Sequence, residues 1–242
     1  MTNTPNRIAL VTGANKGIGF EIARGIARSG ALVLVGARDT ARGQAAADSL
    51  AGEGLDVVPV QIDIVDASSV ATAAATIEAR YGRLDILVNN AGIADFADAG
   101  PSTTSLEIVR RTFETNFFGA VIVTQAMLPL LYKSEAGRIV NVSSSLGSLT
   151  LNGEPFLQGS RFLGYNASKA ALNMLTVQLA AELKGRNIIA NSVCPGYVKT
   201  DLNDHRGHLT PAQGASEAVR LALRTDGEIA GQFRNVDGIV PW

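Results

Sequence analysis

Six short apolar runs punctuate the chain: RIALV at 7–11, ALVLV at 31–35, VVPVQI at 57–62, LDILV at 84–88, GRIVNV at 137–142 and IIANSV at 188–193. Most are continuous rather than alternating, which is the pattern of strands covered on both faces. Alanine-rich segments with helix-compatible patterning lie between and after them, at about 17–29, 40–52, 66–81, 103–133, 165–184 and 214–225. Strand and helix succeed one another through short connections, so the pattern predicts an α/β fold with a doubly wound parallel sheet and helices on both faces. No repeat, low-complexity tract or linker divides the chain, and one domain is expected over residues 1–242.

Composition narrows the setting. A length of 242 residues buries enough apolar surface to fold without covalent staples. Cys194 is the only cysteine, which excludes an internal disulfide and a cysteine-rich zinc site and suits a reducing, cytoplasmic setting. No apolar run approaches a bilayer span, and the start carries no secretory pattern. A net charge of −1, from interspersed acids and bases, gives no global field for nucleic acid or anionic lipid. Neither a nucleic acid nor a membrane is an expected partner.

The stretch GYNASKAAL at 164–172 sets a phenol and an ammonium four residues apart near the start of a predicted helix. Positions i and i+4 share a helix face, so Tyr165 and Lys169 can converge on one point. The same spacing also suits an amphipathic helix whose lysine reaches water along its stem. Earlier in the chain, the first strand runs into TGANKGIG at 12–19, where Gly13, Asn15, Lys16, Gly17, Ile18 and Gly19 form a glycine-rich strand-to-helix turn. Such a turn lets backbone approach a pyrophosphate and aims helix N–H groups at it. Its spacing, G-x-x-x-G-x-G, departs from the G-x-G-x-x-G dinucleotide fingerprint. His205 and His208 form an H-x-x-H pair beside Asp204, read as solvated loop residues with no metal role.

Further motifs fall at strand ends in order: Asp63 after the third, NNAG at 89–92 after the fourth, Asn116 in the long helix, NVSSS at 141–145 after the fifth, Tyr165-x-x-x-Lys169, and PGYVKT at 195–200 after the sixth. With the glycine loop, this set resembles the short-chain dehydrogenase/reductase family over nearly the whole chain, and in pattern its NADPH-dependent carbonyl reductases. The resemblance implies a Rossmann-like fold, NADP(H) as cofactor, and hydride transfer between nicotinamide C4 and a small carbonyl or alcohol substrate. It implies Tyr165 as acid and base, Lys169 lowering the phenol's pKa and binding the nicotinamide ribose, Ser144 holding the substrate oxygen, and Asn116 binding a water on a proton path. Ser143 and Ser145 compete for the serine role, but the register of the fifth strand favours Ser144. By the same resemblance Asp63 and the backbone at Ile64 meet adenine, Asn90 the adenosine ribose, and Val198 and Thr200 the nicotinamide amide and phosphates. Homodimers or homotetramers through the helices near 103–133 and 165–184 are implied too.

Residues after the second strand bear on the cofactor. An NAD enzyme of this fold places a carboxylate there for the ribose 2′-hydroxyl. Here Ala37 stands in its place, followed by Arg38, with Lys16 and Arg42 as further cations and Asp39 as a partial counter-charge. Arg38 can hold a 2′-phosphate through paired, charge-assisted hydrogen bonds. Compared with compact family members, the chain carries extra length near 147–164, expected beside the substrate, with Leu149, Leu151, Phe156, Leu157, Phe162, Leu163 and Tyr197 as walls. A dinucleotide-sensing regulator that keeps the fold without turnover is the alternative.

Overall fold

Alternate residues of each strand leave the sheet toward opposite helical layers, which is why the strands read as continuous apolar runs. In the computed structural model, which describes residues 7–157, 159–225 and 229–242, β1 (Ile8–Thr12), β2 (Leu32–Ala37), β3 (Val57–Gln61), β4 (Ile86–Asn89), β5 (Gly137–Val142) and β6 (Ile188–Val193) lie parallel. Helices α1 (Gly17–Ala27), α2 (Thr40–Ala51) and α3 (Ala67–Tyr81) follow the first three strands. An arm of α4 (Leu106–Phe113), a π turn at Glu114–Phe118 and α5 (Gly119–Leu131) follows β4. A four-residue α6 (Leu149–Asn152) and the long α7 (Leu163–Glu182) follow β5, and α8 (Pro211–Leu223) follows β6. One core layer sets Val11, Val35, Val88 and Val140 against Ile22 and Ile26 of α1 and Leu221 of α8. The other sets Leu10, Leu34, Leu87 and Ile139 against Val70 and Ile77 of α3 and Met127 of α5.

Two strands escape the sequence pattern, β7 (Phe233–Asn235) and β8 (Gly238–Ile239), and β8 adds an antiparallel edge. At three and two residues they are too short to display a period. The long predicted helix begins at Leu106 rather than 103, where the Ser105 side chain accepts from the Ile108 amide, and the π turn interrupts it. Helix α8 begins at Pro211 rather than 214, behind a Thr210–Gln213 capping box.

The strand order is β3-β2-β1-β4-β5-β6-β7-β8. The chain builds outward from β1 to β3 and then returns to build outward from β4, so the order reverses between β1 and β4. Ligands of such sheets sit beyond the strand carboxyl ends at this reversal. Under that edge runs a buried polar chain. Asn89 Nδ2 donates to Thr124 Oγ1 and to Asn141 Oδ1, both at 2.9 Å, and Asn141 Nδ2 donates to Thr176 Oγ1 at 2.8 Å. Thr176 and Ser192 share a further hydroxyl bond of 2.7 Å. The chain ties α5, β4, β5, α7 and β6 together just below the site. Asn141→Leu strips Asn89 and Thr176 of a partner, so unfolding free energy should fall by about 1–3 kcal/mol. In urea titration the midpoint should drop with an unchanged slope; a neutral or stabilising result would show that the polar chain adds nothing.

Candidate active site

At the reversal, Thr12 and Asn90 clasp the two strand ends. Thr12 Oγ1 accepts from the Asn90 and Ala91 amides at 3.0 and 3.1 Å and donates to the Val88 carbonyl at 3.3 Å. Asn90 Nδ2 donates to the Thr12 and Gly13 carbonyls at 2.8 and 3.3 Å. This fixes the glycine loop against the loop after β4. A Cβ on Gly19 would lie 2.3 Å from Asn90 Nδ2 and 2.5 Å from the Gly13 carbonyl oxygen, so only glycine permits the contact. The resemblance implied that Asn90 meets a ribose; its amide nitrogen holds the loop, which leaves the side-chain oxygen for such a contact. Helix α1 starts at Gly17 with no side-chain cap, leaving first-turn N–H groups facing out beside Thr200, whose Cγ2 is 3.5 Å from a Cβ placed on Gly17. Asn15 is half-buried in this loop, and Ile18 packs its side chain onto the core.

The adenine-side residues separate. Asp63 leaves its carboxylate with one acceptor contact, from the Val65 amide at 3.3 Å, because Asp66 caps α3 instead. Ile64 is buried against α5, within 3 Å of where a Gly119 Cβ would stand. Arg38 is exposed at the end of β2, and Ala37 beside it is buried under α2. Asp39 caps α2 by accepting from the Arg42 amide at 2.9 Å. Lys16 leans the other way, onto Asp201 at 2.5 Å. Asp201 also accepts from His205 at 3.0 Å, while His208 stacks edge-on against Tyr197. Val198 is buried, with its carbonyl held by Asn203.

Across the loop, α7 brings Tyr165 and Lys169 to the end of β5. Ser144 neighbours the Tyr165 phenol and favours its ionised form, and its hydroxyl accepts from the Leu146 amide at 3.2 Å. Ser143 turns away to the Lys169 carbonyl, and Ser145 enters a turn with its amide on the Cys194 sulfur at 3.2 Å. Of the three serines, Ser144 is therefore the one the structure brings to Tyr165. Lys169 is 5 % exposed, donates to the Val142 carbonyl at 2.9 Å and lies 5.7 Å from the centre of the Tyr165 ring. Asn116, on the π turn, exchanges hydrogen bonds of 2.8 and 2.9 Å with the Ile93 backbone and donates to Ser168 at 3.0 Å. Its side chain locks the loop after β4 and shares the space over Gly92 with Lys169, since a Cβ placed there would lie 3.1 Å from Asn116 Oδ1 and 3.5 Å from Lys169 Nζ.

The electrostatics differ from the expected lowering of the phenol. Tyr165 keeps part of its ring at the surface, but its hydroxyl lies deep, and burial pushes it up to about 12. The neighbouring Cys194 sulfur adds in the same direction, and Ser144 opposes. Burial also brings Lys169 down to about 8, partly offset by Cys194. In both groups desolvation outweighs the opposing neighbour, Ser144 for the phenol and Cys194 for the ammonium. Cys194 is buried beside Tyr165 and Lys169.

The expected substrate walls divide as well. Leu149, Leu157, Phe162 and Leu163 line a cavity of about 460 Å³ against Asn166, Ala167 and Ala170, a different face of α7 from Tyr165. Leu151 instead packs on the Cys194, Phe233 and Val240 cluster, and Phe156 is exposed. Gln158 lies outside the described residues.

A family model described as short chain dehydrogenase matches residues 7–209. The chain belongs to this family. Among curated short-chain dehydrogenase relatives, carbonyl reductase [NADPH] 1 of Bos taurus is 36% identical, covering 99% of this chain and 100% of its own. The (−)-isopiperitenone reductase of Mentha piperita is 34% identical over 94% and 95%. Among solved structures, NADPH-bound carbonyl reductase from chicken fatty liver superposes with a TM-score of 0.86 at 30% identity, covering 98% of this chain and 99% of that one. A closely packed glycine turn, an uncapped helix start and a buried Tyr–Lys pair share one edge of the sheet, and this edge fits a dinucleotide.

The buried lysine carries a cost in stability. Its folded pKa lies below its unfolded value of 10.5. The penalty for holding the charge is therefore complete below pH 8 and fades as pH rises toward 10.5, where the unfolded chain also releases the proton. Lys169→Met should raise unfolding free energy at pH 7 by roughly 3 kcal/mol, with the gain shrinking toward pH 10. Denaturant titrations at the two pH values check this, and an equal gain at both would place the cost elsewhere.

Proposed function

We propose that this chain is an NADP(H)-dependent carbonyl reductase of the short-chain dehydrogenase type, reducing aldehydes or ketones and able to oxidise the alcohols. The observation that carries it is the convergence of Ser144, Tyr165 and Lys169 at the strand end beside the glycine turn. Relatives named carbonyl reductase [NADPH] 1 and salutaridine reductase support the chemistry. A solved gluconate 5-dehydrogenase of Burkholderia cenocepacia with NADP and tartrate, TM-score 0.85 at 28% identity over 97% and 94% of the two chains, supports a nicotinamide dinucleotide.

In this reading the glycine loop and the α1 amides bind the pyrophosphate, Asp63 and the Ile64 backbone flank adenine, and Val198 and Thr200 flank the nicotinamide end. Bound there, a reduced nicotinamide supplies the hydride. Ser144 donates a hydrogen bond to the carbonyl oxygen and orients it, and Tyr165 gives that oxygen its proton as negative charge develops. A phenol held near 12 is fully protonated at neutral pH, which is the form that reduction needs. Lys169, cationic below about 8, compensates the phenolate left behind and can give it a proton that solvent then returns to the amine, with Asn116 supporting the loop around the pair. A sensor without turnover would have no use for Ser144 at the Tyr165 hydroxyl.

Arg38 carries the cofactor preference, since its guanidinium has no ion-pair partner among the described residues while Lys16 and Arg42 face Asp201 and Asp39. A homodimer or homotetramer is supported by the exposed apolar side chains Leu106, Phe118 and Met174 on the outer helices. A single buried thiol supports a cytoplasmic setting.

A panel of aromatic and aliphatic aldehydes and ketones should reveal NADPH oxidation. With the best of them, Tyr165→Phe should lower turnover by about 10²-fold or more while dinucleotide binding persists. Ser144→Ala should be far more damaging than Ser143→Ala or Ser145→Ala; near wild-type turnover in Tyr165→Phe would defeat the mechanism. Ala37 is too closely packed for a clean exchange to aspartate, so cofactor choice is best tested with Arg38→Leu. Binding titrations should show NADPH weakened by roughly tenfold or more, about 1.4 kcal/mol per decade, with NADH unchanged. Equal weakening of both would remove the 2′-phosphate from this residue.

A further inference from the structure

Helix α7 enters the site without a cap of its own. Phe162 precedes it and offers no acceptor, yet the first turn carries the amide of Tyr165. The backbone N–H groups of a first turn have no partner within the helix and must find acceptors elsewhere. Here they find them more than sixty residues away, in the loop after β4. The Leu163 amide donates to the Ala99 carbonyl at 2.9 Å, the Gly164 amide to Asp98 Oδ1 at 3.1 Å and the Tyr165 amide to Asp98 Oδ2 at 2.8 Å. Only with Asn166, donating to the Phe162 carbonyl at 2.8 Å, does the helix supply its own acceptor.

Asp98 is built for this task. It is 6 % exposed, and Thr104 Oγ1 donates to its Oδ1 at 3.0 Å, fixing the carboxylate's rotation. A Cβ on Gly164 would stand 3.2 Å from Asp98 Oδ2 and 3.3 Å from the Val109 Cα, so glycine lets the carboxylate come this close. Two charge-assisted bonds at the positive end of a twenty-residue helix set both its depth and its rotation. Tyr165 is the residue on which that control bears.

We propose that Asp98 is a positioning residue for Tyr165, acting as a cap supplied by the loop after β4 that holds the phenol at its working distance from Ser144. The proposal rests on the assignment of Tyr165 as proton donor. Because the same loop is held through Ile93 by Asn116 and begins at the Thr12–Asn90 clasp, the cap links the cofactor side of the site to the proton donor. Asparagine at this position keeps one acceptor oxygen and turns an amide group toward the other N–H, so it loosens the cap without emptying the site.

The test uses the full chain. Asp98→Asn should lower kcat for an aldehyde from the active panel by roughly 10- to 100-fold, the scale of a misplaced catalytic group, with the NADPH dissociation constant within about twofold of wild type. In a Tyr165→Phe background the same change should lower kcat less than about twofold, because the group that it places is already absent. A merely structural role predicts the same fold loss in both backgrounds, and that result would overturn the proposal. Thr104→Val, which removes one partner of the carboxylate and keeps the cap's charge, serves as the milder variant if Asp98→Asn does not fold; it should show the same background dependence at smaller size. Hydrogen exchange of the ligand-free protein gives a readout without turnover. Exchange at the Gly164 and Tyr165 amides should accelerate tenfold or more in Asp98→Asn while β1 and β5 stay protected. Unchanged exchange there would remove the cap even if the enzyme reading stood. Accelerated exchange with no reduction of any carbonyl by the wild type would leave the cap and sink the reading of Tyr165, and with it the positioning role.

Discussion

The clasp between Thr12 and Asn90 is the constraint on which the site depends. Two parallel strands that belong to different halves of the sheet end side by side at β1 and β4, and nothing in their ladder dictates how the chain departs from them. Five hydrogen bonds through one hydroxyl and one carboxamide do so. On one side they pin the glycine turn low enough for Gly19 to pack on Asn90 and for α1 to present free amides. On the other they launch the loop after β4, which Asn116 catches at Ile93. The glycine turn and the Tyr165 helix thus take their positions from one origin.

That rigidity allows the site to hold groups that folding alone would reject. A phenol and an ammonium are each driven toward their neutral forms by burial, and the lysine in particular is a charge kept where water cannot reach it easily. The Val142 carbonyl gives the ammonium one acceptor, and the apolar layers on either side of the sheet supply the stability that offsets the rest. Desolvation raises both the phenol's resistance to ionisation and the strength of its interactions with any charge that develops nearby. In the proposed chemistry, the environment that makes the pair costly in the resting protein is the one that makes it effective in the transition state.

Much of this was legible in the sequence because it depends on local order. Continuous apolar runs gave six strands, and a helical spacing of four put Tyr165 and Lys169 on one face. Which of the three serines meets Tyr165 came from the resemblance to the family's motif, counted along the fifth strand to Ser144. What lay beyond reach is what depends on long-range contact. Asp98 resembles any loop aspartate, since its partners Gly164 and Tyr165 are more than sixty positions away; the one local hint is the absence of a capping residue before α7. The shifts of Tyr165 and Lys169 could not be read from their spacing either, because charge proximity and burial oppose each other and only the depth of the fold decides between them. β7 and β8 pair at the sheet edge with too few residues to carry a pattern. The walls expected around the substrate divided because side chains in a segment with little regular structure follow no period.

The treatment of the cations shows how such long-range terms alter a local reading. Three basic residues are candidates for a 2′-phosphate, with sequence placing Arg38 first, Lys16 next and Arg42 as the weaker one. The structure separates them by their partners. Lys16 and Asp201 form an ion pair with both side chains more than half exposed, a class of interaction worth about 0–1 kcal/mol. In the proposed reading, a doubly charged phosphate therefore recruits Lys16 at small cost, drawing it away from the segment that carries Thr200 and Asp201. Arg38 needs no such exchange, because no carboxylate among the described residues holds its guanidinium. Preference for the phosphorylated dinucleotide then rests on the residue that stands ready, while the residue that must move couples arrival of the phosphate to the loop flanking the nicotinamide end.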